Sequence, residues 1–493
     1  MAGSLASTPG FNLQPSAERV ATSSNYLTDF NFLNQYLPDV YEAEFERYGN
    51  RTISSFLRMV GAEMPTNSDL IKWAEQGRLH VKYENCTLGS HAGTETTQVI
   101  TVSDSLTPTI PGGTTFTDGQ IGLRTGQTIM ISDNTAASSL SNKAVITETG
   151  YSDGSALANN EIRVAYYEAT QAAFPAAGTV SIFVYGSEFQ KGTAGMAESL
   201  ESDGLIFENK PIIIKDRYSV SGSDMAQIGW IEISTEDGGT GYLWYLKSEH
   251  ETRLRFEDYL ETAMIEAVPA ADGSGAETAL GFASAGNTTA GSEGVFHAVE
   301  NRGNVWSGGN PTTLSDFDAV IQRLDKQGSI EENVLFLNRQ FSFDIDDMLA
   351  AQNSYGAGGT SYGLFDNDEE MALNLGFSGF RRGYDFYKTD WKYLNDPTMR
   401  GGLTGGAVNG LLVPAGSTTV YDQILGKNAT RPFLHVRYRA SETENRRYKT
   451  FIVGSAGMVD GRVGTSLDAM EVHFLSERAV CVMGANNFFI FKG

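Results

Sequence analysis

Between positions 91 and 160 the chain carries only two Lys or Arg residues, Arg124 and Lys143, in a background of Gly, Ser, Thr and Asn. Short apolar runs stand out at 98–102, 127–132 and 144–149, followed by two more at 161–168 and 179–185. Turn-forming residues separate them: Pro111-Gly112-Gly113, Asp118-Gly119, Asp133-Asn134, Asp153-Gly154 and Pro175. Runs this short, broken so often by Gly and Pro, read as strands rather than helices. The block therefore predicts a small all-β module, sandwich or barrel, over 90–186.

The flanks of the module have a different character. Ahead of it, Leu79, Val81 and Tyr83 alternate with His80, Lys82 and Glu84, the period of a half-buried strand. Behind it, 211–214 and 228–233 are rich in Ile. Together they predict a long hairpin over 69–235 that carries the module. At the hairpin base, Trp73 is large and amphipathic, while Glu75 and Arg78 can make charge-assisted hydrogen bonds. These three are candidates for contact with a second subunit, the alternative being that Trp73 packs in the chain's own core. Positions 73 and 75 share a strand face, and 78 joins them only if Gly77 introduces a bulge.

Residues 1–68 read as an arm. It begins rich in Ser, Thr, Ala and Pro without the basic-then-apolar pattern of a secretory signal. From Tyr26 it turns aromatic, through Phe30, Tyr36, Tyr41 and Phe45, and Pro38 and Gly49 prevent a single helix. Such side chains need a surface to cover, either the chain's own body or a neighbour's, and Tyr36 and Tyr41 are candidates for the latter.

The clearest helix is predicted over 240–268, with Leu246, His250, Leu254, Phe256, Leu260 and Met264 along it and Pro269 to stop it. At about 1.5 Å per residue it would be about 40 Å long. Glu249 with Arg253, and Glu251 with Arg255, are spaced for ion pairs. A second helix should start at Thr313, where Asp316 approximates a capping box, and end at Gly328. Beyond it, 333–337, 384–388 and 411–414 read as strands and 345–352 as a helix. A hairpin is predicted from 433–439 and 448–453, and two closing strands from 469–475 and 479–483. The fold class is α+β, with divisions at 236–330, 331–430 and 431–493 after the hairpin.

The chain does not read as an enzyme, and no catalytic, cofactor-binding or metal-ligating set emerges. Gly150-Tyr151-Ser152-Asp153-Gly154 spells a nucleophile elbow, but a Gly/Asn-rich loop surrounds it where a strand and a helix are required. Asp366 to Glu370 alternates carboxylates like a calcium loop, yet Met371 stands where the turn needs glycine. Two cysteines, Cys86 and Cys481, make neither a disulfide framework nor a zinc site. No run approaches the roughly 18 apolar residues of a membrane-crossing helix. Lys and Arg number 36 against 60 Asp and Glu, a formal charge of −24, which disfavours non-specific grip on nucleic acid. The one basic cluster joins Arg431, Arg437, Arg439, Arg446, Arg447 and Lys449. It could touch nucleic acid, or make salt bridges within its own sheet or to a neighbouring subunit; alternation puts Arg437 and Arg439 on one face.

The order of parts resembles the major capsid protein of tailed phages, the Hong Kong ninety-seven (HK-type) fold. The segment Ile71-Lys72-Trp73-Ala74-Glu75-Gln76-Gly77-Arg78 is similar to the start of the extended loop in capsid proteins of crAss-like podophages. The ending, from Glu477-Arg478-Ala479 through Phe488-Phe489-Ile490, is similar to that family's last strand and tail. The resemblance implies an N-terminal arm (1–68), an extended loop (69–235) bearing an all-β insertion domain, and a peripheral domain (236–330) with a spine helix. An axial domain (331–430) and returning strands (431–493) would follow. It also implies a subunit that self-assembles into the icosahedral head around a double-stranded DNA genome, in hexamers and pentamers. Portal, scaffolding and decoration or auxiliary capsid proteins would be its partners, with only weak inner-surface contact to DNA and none to membrane. The product would be a virion component made in the host bacterial cytoplasm. The competing reading is a β-rich virion appendage or glycan-binding adhesin, for which Tyr151, Tyr166 and Tyr167 are the visible aromatic candidates.

Overall fold

The computed structural model describes the chain apart from residues 1–55, 58–61, 78, 81, 90, 103–105, 108–121, 134–139, 151–154, 159, 175–178, 197–203, 227–232, 235–239, 242–243, 281–289, 329, 354–377, 423–426 and 457–466. Tyr36, Tyr41, Arg78, the elbow-like residues 151–154 and the acidic loop at 366–370 lie outside the described residues.

Near the start come β1 (Glu63–Thr66) and β2 (Ile71–Gln76). A barrel follows, built from β3 (Lys82–Leu88), β4 (Thr97–Thr101), β5 (Leu106–Thr107), β6 (Gln127–Asp133), β7 (Ser141–Thr149), β8 (Glu161–Tyr166) and β9 (Thr179–Ser187). The antiparallel order β4-β8-β7-β6-β9-β3 closes on itself because β3 also pairs with β4, at Thr87 with Thr101 and Leu88 with Ile100. Alternate residues fill the interior, as the period of a strand requires: Ile100, Ile129 and Ile131, Ala144 and Ile146, Ile162 and Val164, Val180 and Ile182. Closure removes sheet edges, which open sheets must otherwise protect.

The module thus begins earlier than position 90, since β3 supplies one stave. The alternation at 79–84 misplaces this strand: Leu79 is 90% exposed, and pairing starts at Lys82. A register shift between Tyr83 and Cys86, with Asn85 at φ 55°, lets both Tyr83 and Cys86 point inward although they are an odd number of positions apart. The chain returns along β10 (Gly204–Asn209), which pairs antiparallel with β2 from Gln76–Gly204 to Ile71–Asn209. A two-stranded ribbon therefore connects the barrel to the rest of the molecule.

The body continues with β11 (Ile212–Ser221), the short strands β12 (Ile233–Ser234) and β13 (Thr240–Gly241), and the long helix α1 (Trp244–Glu266). The helix is shorter than the sequence predicts because Thr240 and Gly241 pair as β13 with Ile233 and Ser234. Thr252, Phe256, Leu260 and Met264 are buried at four-residue spacing, while Leu254 is only partly covered. After α1 come α2 (Val295–Arg302), β14 (Asn304–Trp306), α3 (Leu314–Gln327), β15 (Glu332–Leu337) and α4 (Arg339–Asn353). Helix α3 begins with a full capping box between Thr313 and Asp316 and ends at Gly328 in the left-handed conformation, φ 71°. The chain goes on through β16 (Gly379–Arg382), β17 (Tyr384–Asp390), β18 (Val408–Pro414), the hairpin of β19 (Ser417–Asp422) and β20 (Lys427–Pro432), and β21 (Leu434–Arg439). It finishes with β22 (Lys449–Gly454), β23 (Ala469–Val482) and β24 (Phe489–Lys492).

Two sheets organise the body. The first has the order β14-β24-β18-β15-β17-β16. Leu335, Leu337, Leu412, Phe489 and Phe491 on one face meet Phe317, Val320 and Leu324 of α3 and Phe341 and Ile345 of α4. Residues of opposite parity, Phe336, Leu411, Val413 and Ile490, meet Met264, Ile265, Val295 and Phe296 on the other face. Phe56 is fully buried there, stacked on Trp391 at 4.6 Å, and its backbone N–H donates to Glu261 Oε1 at 2.9 Å. Part of the stretch read as an arm is thus core of this same chain.

The second sheet is built on β23. One edge pairs with β11 from Ala469 to Arg478, and the other pairs with β22 over 470–475 and β21 over 478–482; β1 pairs parallel with β21. Strands β21 and β22 therefore run the same way, end to end along β23, and do not form the hairpin predicted between them. The two closing strands predicted at 469–475 and 479–483 are one continuous strand. Ser476, Glu477 and Arg478, polar enough to read as a turn, are buried in the middle of that strand. They fit because the chain departs between β21 and β22, leaving groups to satisfy them. Ser476 Oγ donates to the Arg447 carbonyl at 2.6 Å, as does Arg478 Nη2 at 2.9 Å, and Arg446 sits 3.1 Å from the Glu477 carboxylate.

Candidate contact site at the hairpin base

The ribbon meets the body through one of its faces. Residues 71, 73 and 75 of β2 turn toward the body, while Lys72, Ala74 and Gln76 are exposed. On β10, Phe207 is partly covered and Asn209 buried, while Ile206 remains 67% exposed opposite Ala74. Ile71 packs on Ala479 and Cys481 of β23, with Trp73 against them.

Glu75 Oε1 accepts from Trp73 Nε1 and from the Gly484 N–H, both at 2.9 Å. Arg302, at the end of α2, lies over the same surface. Its guanidinium is 4.5 Å from the Phe207 ring centroid and 5.7 Å from that of Trp73. Its Nη2 donates to Glu293 at 2.7 Å, and Nη1 is 3.8 Å from Glu75. Cation–π contact and ion pairing at a mostly buried guanidinium reinforce each other, since desolvation strengthens both. Asn209 completes the junction: its Nδ2 donates to the carbonyls of Val480 and Glu293, and its Oδ1 accepts from Ser292 Oγ and the Glu293 N–H. The ribbon is thus fastened to the body at its root.

Of the residues singled out from sequence, Trp73 and Glu75 come together here, on one face as the alternation requires. Strand β2 stops at Gln76, and a side chain at Gly77 would meet nothing within 4 Å. Arg437 and Arg439 lie elsewhere, on β21. Arg437 is buried beside Met64, with Nη1 3.4 Å from its sulfur, and Arg439 bonds Asp69 at 2.6 Å. Their cluster is knitted by carboxylates of the same chain: Arg447 pairs with Glu63, Arg446 with Glu477, and Lys449 with Glu444 at 2.8 Å. Salt bridges within the chain account for four of the six members of that basic cluster, and Arg437 is buried. Next to it, burial holds His435 down at about 4, helped by the positive charges of Arg437 and Arg431.

Sequence reasoning missed Arg302, Phe207 and Asn209. Phe207 had a usable signal, since a hairpin that places Trp73 inward must place its cross-strand partner inward as well. Arg302 had none, being remote along the chain from both strands. Among the described residues no group of three or more His, Cys, Asp or Glu is arranged to hold a metal ion, and no helix is long and apolar enough to cross a membrane.

No protein-family model matches the chain, and no curated protein matches its sequence. Solved structures give low-scoring matches. A chain of Microbacterium phage Oxtober96 is 8% identical, with 93% of this chain and 96% of that one covered and a TM-score of 0.38. The capsid structure of the cyanophage P-SCSP1u matches at 8% identity, 62% and 80% coverage and a TM-score of 0.34. The capsid asymmetric unit of cyanophage Pam1 matches at 12% identity, 62% and 82% coverage and a TM-score of 0.33. What this chain is similar to, at that level, are chains from phages and phage capsids.

Proposed function

We propose that this chain is the major capsid protein of a tailed double-stranded DNA phage, of the HK-type fold and nearest to the crAss-like group, and that it self-assembles into the icosahedral head. The observation that carries the reading is the division of the molecule: a barrel held off an α+β body by a two-stranded ribbon rooted at Arg302 and Asn209. A subunit of a closed shell needs a body for the wall and projecting parts that reach its neighbours.

In this reading the arm is the part of 1–68 that precedes Phe56, since Phe56 and β1 belong to the body, and 69–235 is the extended loop, with the barrel as its insertion domain. Helix α1 is the spine of the peripheral domain, and 331–430 is the axial domain. Trp73 and Glu75 at the ribbon's root, and Arg437 and Arg439 on β21, have partners within the chain, which leaves Tyr36, Tyr41 and Arg78 as the candidates that reach a neighbour. The partners are further copies in hexamers and pentamers, then portal, scaffolding and decoration or auxiliary proteins. An acidic wall holds packaged DNA weakly, which suits packaging and ejection.

Electron microscopy of the full chain, expressed alone and with its neighbouring gene products, tests the proposal. Closed particles of uniform diameter are expected, and removal of residues 1–50 should leave a soluble subunit that forms none. A chain that stays monomeric in every combination would sink the reading.

A further inference from the structure

On the outer wall of the barrel, three adjacent strands, β7, β6 and β9, present a concavity of about 420 Å³. It is lined by Lys143 from β7, Thr128 from β6, Tyr185, Gly186 and Ser187 from β9, and by Tyr167 and Glu188 just beyond strand ends. We infer that this concavity is a binding site for a neutral saccharide ring. The inference does not depend on what the whole molecule builds.

Several features make it a formed site rather than a stretch of wall. The register between β6 and β9 shifts so that Thr128 faces Gly186 and Ile129 faces Val184, leaving Tyr185 as the extra, bulged residue. Alternation along β9, with Ile182 and Val184 toward the interior, puts Tyr185 on the outer wall at the bulge, 48% exposed. Tyr167, 47% exposed, is held in place by donating from its hydroxyl to Glu188 Oε2 at 2.6 Å. Lys143 Nζ lies 5.8 Å from the Tyr185 ring centroid. At the floor, Thr128 is buried, its hydroxyl oxygen covered.

A ligand seated here must offer an apolar face to the tyrosine rings and hydroxyls or similar groups to Lys143 and Glu188. A sugar ring has both, with C–H bonds on one face and hydroxyls around its rim. Charge narrows the choice further. An anion would meet the Glu188 carboxylate and a cation the Lys143 ammonium, whereas the hydroxyls of a neutral sugar can donate to the one and accept from the other. The volume suits one or two rings.

The aromatic pair is not the one visible in the sequence. Tyr166 turns away, its ring 4.8 Å from that of buried His91, and Tyr151 lies outside the described residues. Tyr185 takes the place beside Tyr167.

Saturation-transfer NMR on the full chain, with galactose, glucose, N-acetylglucosamine and maltose as probes, tests the assignment. Transfer to the C–H protons of at least one probe is expected, with a Kd on the order of 1 mM, as befits a shallow site. Tyr185→Ala and Tyr167→Ala should each weaken it roughly ten-fold, with the melting temperature of each variant unchanged. No transfer to any of the four sugars, or equal transfer in Tyr185→Ala, overturns the proposal. So does transfer to p-cresol, a tyrosine side-chain mimic, in place of every sugar, which would assign the concavity to a protein partner.

Discussion

The barrel and the body solve the problem of burying a core in opposite ways. Every residue of the barrel's interior cluster lies between Tyr83 and Phe174 or on β9, at Val180 and Ile182. The body's principal cluster draws on Phe56, on α1 and α2, on Phe336, on Trp391 to Val413, and on Leu434 to Ile490. A core gathered from one continuous stretch needs nothing from the rest of the chain. One gathered from both ends forms only when distant segments meet, and it loses cooperativity if any of them is missing. The molecule is thus an autonomous unit borne on a strongly interdependent one.

The largest test is all-or-none. A fragment of residues 80–189 should fold alone and melt cooperatively with a β-type circular dichroism spectrum. Residues 90–186 should not, because without β3 the ring cannot close. Equal folding of the two fragments would break the distinction between a closed barrel and an open sheet.

Phe56→Ala probes the body's dependence on its N-terminal segment. Removing a fully buried ring should cost about 3–5 kcal/mol, read as a lower melting temperature for the body's transition while the barrel's is unmoved. A single transition that shifts as a whole would mean that the two units unfold as one.

Acid should separate them as well. His435 on β21 is held at about 4 by burial against an ordinary 6.5. Below pH 6.5 the unfolded chain takes up a proton that the folded body refuses. The body therefore weakens as pH falls from 6.5 to 4, by roughly 3 kcal/mol at about 1.4 kcal/mol per pH unit. In the barrel, Glu95 is held at about 2 against an ordinary 4.5, chiefly by the Ala92 N–H and then by those of its neighbours. A depressed carboxyl stabilises above its unfolded value, so this contribution is lost only as pH falls from 4.5 toward 2. Calorimetry across pH 7 to 3 should show the body's transition dropping first, and His435→Phe should flatten that drop.

The smallest effect belongs to the junction. Arg302→Met leaves Glu75 and Glu293 without their cation and should cost about 2 kcal/mol. Hydrogen exchange should rise in β2 and β10 and stay constant within the barrel. Faster exchange in the barrel as well would mean that the ribbon transmits stability between the two units.

Local patterns explain what could be read without coordinates. The short apolar runs at 98–102, 127–132 and 144–149 are strands because turn residues bound them, and α3 starts and stops where its capping groups are. Phe207 was within reach once Trp73 was placed, and the site on the barrel wall was half visible in Tyr167. The register shift at Tyr185 left no mark, because a register shift is a property of two strands.

From the sequence alone came the α+β class, the barrel's strands and the long helix. All of these rest on the spacing of side chains along a few consecutive residues, which fixes which face of an element is buried. Only the tertiary structure decided that β3 belongs to the barrel, that β21 and β22 lie end to end, and that Phe56 sits under Trp391. It also decided that Ser476, Glu477 and Arg478 run on as buried strand. A polar triplet is locally indistinguishable from a turn, and it becomes core only when Arg446, Arg447 and Glu63 arrive from elsewhere in the chain to satisfy it.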